Sequence, residues 1–154
     1  MRLRNARVRP NFKAGEEYNY SGTNSESGVK MEAVSNIFLV LHLVGFAALF
    51  GGFLAQLGAQ AKSITNGMLH GALLSLVAGV VLVGVRYPLN DRDAVAYPLY
   101  DNGKISVKLL ILFVILILGY TSKKRSKDSG QGDTAAWATV GLLTFTNIVI
   151  SVFW

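Results

Sequence analysis

The 154-residue sequence contains no cysteine. This absence excludes disulfide bonds, catalysis by a thiolate, and zinc or iron–sulfur sites held by cysteine. Any redox chemistry would therefore depend on a bound cofactor. Methionine is also scarce, at three residues, which argues against copper transport through thioether ligands.

Acidic residues are absent from the apolar parts of the chain. Four apolar blocks lie at 36–57, 67–87, 105–121 and 135–154, and a helix needs roughly 20 residues to cross a bilayer. The composition, 51% hydrophobic and 16% charged, is too apolar for an ordinary soluble domain of this length. We therefore predict an all-α polytopic membrane protein with four transmembrane helices in an antiparallel bundle.

The first 35 residues differ from the rest of the chain. Residues 1–35 are polar and lack hydrophobic periodicity, so they cannot bury enough apolar surface to become ordered. We predict a disordered leader followed by a transmembrane domain at 36–154. Met31 offers an alternative translation start, because the sequence from it, MEAVSNIFLV, leads directly into the first apolar block.

The formal net charge of +6 does not indicate a nucleic-acid partner. The charges lie in the leader and in short loops, without a recognition motif or interleaved aromatic residues, and anionic lipid headgroups explain them better. The positive-inside rule favours a cytoplasmic loop between the third and fourth helices, with the N terminus outside. This loop region holds a dense basic cluster of Lys123, Lys124, Arg125 and Lys127.

His42 is the one ionisable residue in the first apolar block. Small residues follow it at helical spacing and predict a seam where another backbone approaches closely; they are Gly45, Ala48, Gly52, Ala55 and Ala59. The second block repeats the pattern every four residues from Gly67 to Gly79, which predicts that these two helices pair. An ionisable residue facing the bundle is a candidate functional residue, and the alternative is a structural interhelical hydrogen bond.

Two further cations lie at the same end of the predicted bundle. Lys108 is near the start of the third helix and Arg86 near the end of the second, so antiparallel helices place both in the same third of the membrane as His42. The structural alternatives are snorkelling for Lys108 and an interface anchor for Arg86. His70, near the opposite face, is predicted to be structural.

Two stretches of the sequence carry a family resemblance. LHLVGFAALFGGFL in the first helix and GKISVKLLI at the start of the third resemble a superfamily of small helical membrane proteins. It includes the HemJ-type protoporphyrinogen oxidases and the CopD-type copper-resistance proteins. In the HemJ-type family an early histidine and a lysine of a later helix are the functional pair proposed around a b-type haem.

The resemblance carries over to His42 and Lys108 only, and the predicted level of Arg86 adds a third candidate. His42 would be the axial haem ligand between helices 1 and 3, and Lys108 a second ligand or proton shuttle. Arg86, at the same level, would pair with a haem propionate. The resemblance and the small size also favour the bacterial plasma membrane.

Two hypotheses for the function are therefore open. In the first, the protein binds haem b or a porphyrin between helices 1 and 3. In the second, it is a non-catalytic accessory subunit that docks within the lipid bilayer against a larger membrane complex or as a homo-oligomer. In that hypothesis the Leu- and Ile-rich third helix is the outer face.

Overall fold

The computed structural model describes residues 21–154, and their side chains from residue 26. These residues form four α-helices in chain order: α1 (Ser21–Leu54), α2 (Asn66–Arg92), α3 (Asn102–Ser129) and α4 (Thr134–Phe153). Each helix is long and apolar enough to cross a bilayer. The predicted fold class is confirmed, and the chain is a multi-pass membrane protein.

α1 begins well before the first apolar block. Its 34 residues span roughly 50 Å, against the ~30 Å thickness of the hydrocarbon layer, and its first turns include residues 21–35, for which we expected disorder. Polar contacts hold this extension: the Arg92 guanidinium covers Gly28, and Glu32 accepts a hydrogen bond from Tyr97 that raises the pKa of the phenol. Residues 1–20, and our prediction for them, lie outside the described residues.

α2 and α3 also run past their predicted ends. α2 continues through Pro88 to Arg92, because Leu89 is buried and the Asn90 amide donates to the Tyr97 carbonyl at 2.9 Å. α3 continues through the basic cluster to Ser129 and stops at Gly130, whose φ of +67° is left-handed. The apolar blocks therefore marked the hydrocarbon-crossing part of each helix and not its polar ends.

α1 and α2 form the closest helix pair. A Cβ atom on Gly45 would lie 2.6 Å from the Ser75 nitrogen and 2.7 Å from the Gly71 oxygen, so the two backbones are in direct contact. Gly52 is similarly covered by the Met68 side chain. The predicted pairing through small residues is confirmed at these positions.

The order of the helices around the bundle decides which side chains can meet. α2 and α4 each pack against both α1 and α3, whereas α1 and α3 lie diagonally opposite and make no close backbone contact. The Phe53 and Trp137 rings stack at 4.5 Å and join α1 to α4. A single buried core connects the four helices; it includes Leu49, Met68, Leu69, Ala72, Leu112, Ile115 and Val140.

The absence of cysteine makes the membrane topology directly testable. We expect a cysteine introduced by Ala94→Cys, in the α2–α3 loop, to react with a membrane-impermeant maleimide in intact cells. A cysteine introduced by Ser129→Cys should react only after permeabilisation, because the adjacent basic cluster favours the cytoplasm. Both positions are exposed, and the reverse labelling pattern would contradict the predicted orientation.

Candidate functional site

His42 is bonded to α2. Its Nδ1 lies 2.7 Å from the Ser75 carbonyl oxygen and 3.2 Å from Ser75 Oγ. A carbonyl oxygen only accepts hydrogen bonds, so the shorter contact requires a proton on Nδ1. A Cβ atom on Gly79 would lie 3.2 Å from the ring, which shows that the glycine makes room for the imidazole. His42 therefore makes an interhelical hydrogen bond, which was the structural alternative to a functional role for this residue.

Lys108 is bonded to α4. Its Nζ donates to Ser151 Oγ at 2.5 Å, and Ser151 Oγ is also 2.8 Å from the Asn147 carbonyl oxygen. Lys104, one turn earlier, donates to the carbonyl oxygens of Ser151 and Trp154 at 3.2 and 3.1 Å. Positive charge stabilises the C-terminal end of a helix. The two lysines thus attach the start of α3 to the end of α4.

The structure does not join His42 to Lys108. Both groups were predicted to lie in the same third of the membrane. Among the described residues, however, neither donates to the other, because α1 and α3 are diagonal and each group bonds to an adjacent helix.

Arg86 is bonded to the loop that follows α2. Its Nε donates to the Pro98 carbonyl oxygen at 2.8 Å, and its guanidinium lies 4.8 Å from the Tyr100 ring centroid. Arg86 follows Gly79, the neighbour of His42, by seven residues, or roughly 10 Å along a helix. These contacts are those of an interface anchor, which was the structural alternative for Arg86. The spacing along α2 places Arg86 at a different level from His42.

The cavity near Arg86 is small compared with a haem, and neither His42 nor Lys108 lines it. A cavity of about 10 Å³ lies beside Arg86 and Tyr100, whereas small-molecule sites typically have volumes of ~300–1,000 Å³. Backbone contact at Gly45 closes the interface between α1 and α2. The described contacts therefore show no joint site for His42 and Lys108, and a haem between helices 1 and 3 stays a prediction. Within the described part of the chain, no three His, Asp or Glu side chains are grouped as a metal site.

The sequence reading missed the polar contacts at the opposite end. Asp133 caps α4 by accepting from the Ala136 N–H at 3.0 Å, and it pairs with Arg125 at 3.1 Å. The Ala136 N–H bond is the largest cause that lowers the pKa of this carboxyl group, and the Arg125 charge is a smaller one. The Lys62 ammonium lies 4.6 Å from the Trp137 ring centroid. An aspartate directly before an apolar helix is a recognised N-cap signal, so the first contact was predictable.

Comparisons with known proteins found no relative. The chain matches no protein-family model, no curated protein and no solved structure. The resemblance to the HemJ-type and CopD-type superfamily stays a prediction based on the two short stretches that contain His42 and Lys108.

Proposed function

We propose that the protein is a non-catalytic helical subunit of a larger membrane assembly. The observation that carries this proposal is the bonding of its membrane-embedded ionisable side chains. His42 is bonded to Ser75 and Lys108 to Ser151, each across a helix pair. Groups used in this way hold the bundle together, and the intramembrane charge has a structural role.

The exposed faces of α1 and α3 also support the proposal that the protein packs against other membrane subunits. α1 is the least enclosed of the four helices, and a Cβ atom on Gly51 would meet no atom within 4 Å. Exposed Ala47 and Ala55 lie four residues on either side of Gly51, and small residues at this spacing permit close helix approach in lipid. Both α1 and α3 also expose large apolar side chains, among them Ile37, Val40, Val44, Leu110, Phe113 and Ile117.

A second candidate function is haem binding through His42 alone. Histidines that ligate metals commonly donate their other ring N–H to a carbonyl oxygen, and Nδ1 of His42 makes such a bond to Ser75. This candidate uses neither Lys108 nor Arg86. It predicts a Soret absorption band that disappears in the His42→Ala variant.

One purification distinguishes the two candidates. The full-length protein is expressed in its native host with ample haem and purified in a mild detergent. Spectra are then recorded before and after dithionite reduction, and particle mass and subunit stoichiometry are measured. We expect a colourless complex that is heavier than the 16.6 kDa chain with its detergent and contains other subunits in fixed ratio. A Soret band dependent on His42, or a colourless protein without partner subunits, would contradict the proposal.

A further inference from the structure

The two ends of the bundle differ in charge balance. Among residues 26–154, the end that holds Arg86 carries five basic and five acidic residues, whereas the opposite end carries five basic and two acidic residues. The basic residues of the opposite end are Lys62, Lys123, Lys124, Arg125 and Lys127, and the acidic ones are Asp128 and Asp133. The excess positive charge of the described residues is therefore confined to one membrane surface.

The two ends also differ in the contacts that their basic side chains make within the protein. At the first end, Arg86, Lys104 and Lys108 are hydrogen-bonded within the protein. At the opposite end, Asp133 binds Arg125, and Lys62 lies over an indole ring. The three remaining lysines make no ion pair and donate no hydrogen bond within the described part of the chain; they are Lys123, Lys124 and Lys127.

These three lysines lie at the depth of lipid headgroups. The first ~20 residues of α3 cross the hydrocarbon layer, which brings the helix to about Thr121. The following turns extend into the headgroup layer, where Lys127 is three residues from Lys124 and four from Lys123, so the charges are neighbours on the helix surface. An open polar cleft of about 440 Å³ lies at the same end of the bundle; its lining includes Ser126, Gln131 and the paired Arg125 and Asp133, but none of the three lysines.

From this placement we propose that Lys123, Lys124 and Lys127 form a binding surface for anionic phospholipid headgroups. Each basic residue near an anionic membrane surface strengthens binding by roughly fivefold. A phosphate diester supplies the acceptor oxygens that these ammonium groups lack within the protein. We therefore expect the protein to bind anionic lipid at the end of the bundle that holds the α3–α4 loop.

Native mass spectrometry can test this surface on the full-length, detergent-purified protein. The protein is titrated with phosphatidylglycerol or phosphatidylcholine of identical acyl chains, and retained lipids are counted. We expect the wild type to prefer phosphatidylglycerol, and the Lys124→Gln/Lys127→Gln variant to lose that preference by roughly 25-fold, which is about fivefold for each lysine. The matched control, Lys30→Gln/Arg92→Gln, removes the same charge from the other end and should keep it.

Two further measurements distinguish loss of the lipid-binding surface from loss of the folded structure. Both altered lysines are exposed, so the double variant should unfold at the wild-type temperature, and added salt should weaken phosphatidylglycerol retention by screening. Equal retention of the two lipids by the wild type, or an unchanged preference in the lysine variant, would overturn the proposal. Capture of an acidic protein or RNA without lipid preference would also overturn it.

Discussion

The Gly45→Ala variant is expected to unfold at a markedly lower temperature than the wild type in mild detergent. The added methyl group would lie 2.6 Å from the Ser75 nitrogen and 2.7 Å from the Gly71 oxygen. Both are backbone atoms of α2, so the strain is relieved only if the two helices separate. Overpacking of this kind costs about 1–3 kcal/mol, and separation would also lengthen the His42 hydrogen bond. We therefore expect a loss of about 3 kcal/mol.

The matched control for this variant is Gly51→Ala on the same helix. Its added methyl group meets no atom within 4 Å, and alanine is favoured over glycine in a helix interior by about 1 kcal/mol. Gly51→Ala should therefore match or exceed the wild-type unfolding temperature when the chain is expressed and purified in detergent without partner subunits. Equal unfolding temperatures for Gly45→Ala and Gly51→Ala would show that α1 and α2 do not pack through Gly45.

The His42→Ala variant is expected to lose about 2 kcal/mol of stability. Its hydrogen bond to the Ser75 carbonyl is lost, and interhelical hydrogen bonds in membrane proteins contribute roughly 0.6–1.7 kcal/mol. The imidazole also fills the space beside Gly79, so its removal leaves a void that adds to the loss. Chemical or thermal unfolding in detergent measures this difference.

Two comparison variants show whether this hydrogen bond is responsible. His70 is exposed, so His70→Ala removes an imidazole from α2 and should leave the stability unchanged. Ser75→Ala removes only the hydroxyl group at 3.2 Å and keeps the carbonyl acceptor at 2.7 Å, so its effect should be smaller than that of His42→Ala. Wild-type stability in His42→Ala would contradict the proposed structural role of the histidine.

The ends of the helices could not be predicted from the sequence, although the membrane-crossing spans could. A hydrocarbon crossing requires a long apolar run, so composition alone located the four spans. The ends of α1 and α2 lie in water and depend on particular polar contacts, such as Glu32 with Tyr97 and Asn90 with the Tyr97 carbonyl. These contacts join residues that are distant in the sequence, so no local pattern predicts them.

The sequence by itself determined a cysteine-free membrane protein with four spans, because the length of an apolar run and the spacing of small residues are properties of the chain. The glycine spacing also predicted that α1 packs on α2, with His42 on that seam. Only the tertiary structure decided the partners of His42, Lys108 and Arg86. Counting residues into a membrane gives the depth of a side chain but not its lateral neighbours. The order of helices around the bundle sets those neighbours, and it places α1 and α3 on a diagonal.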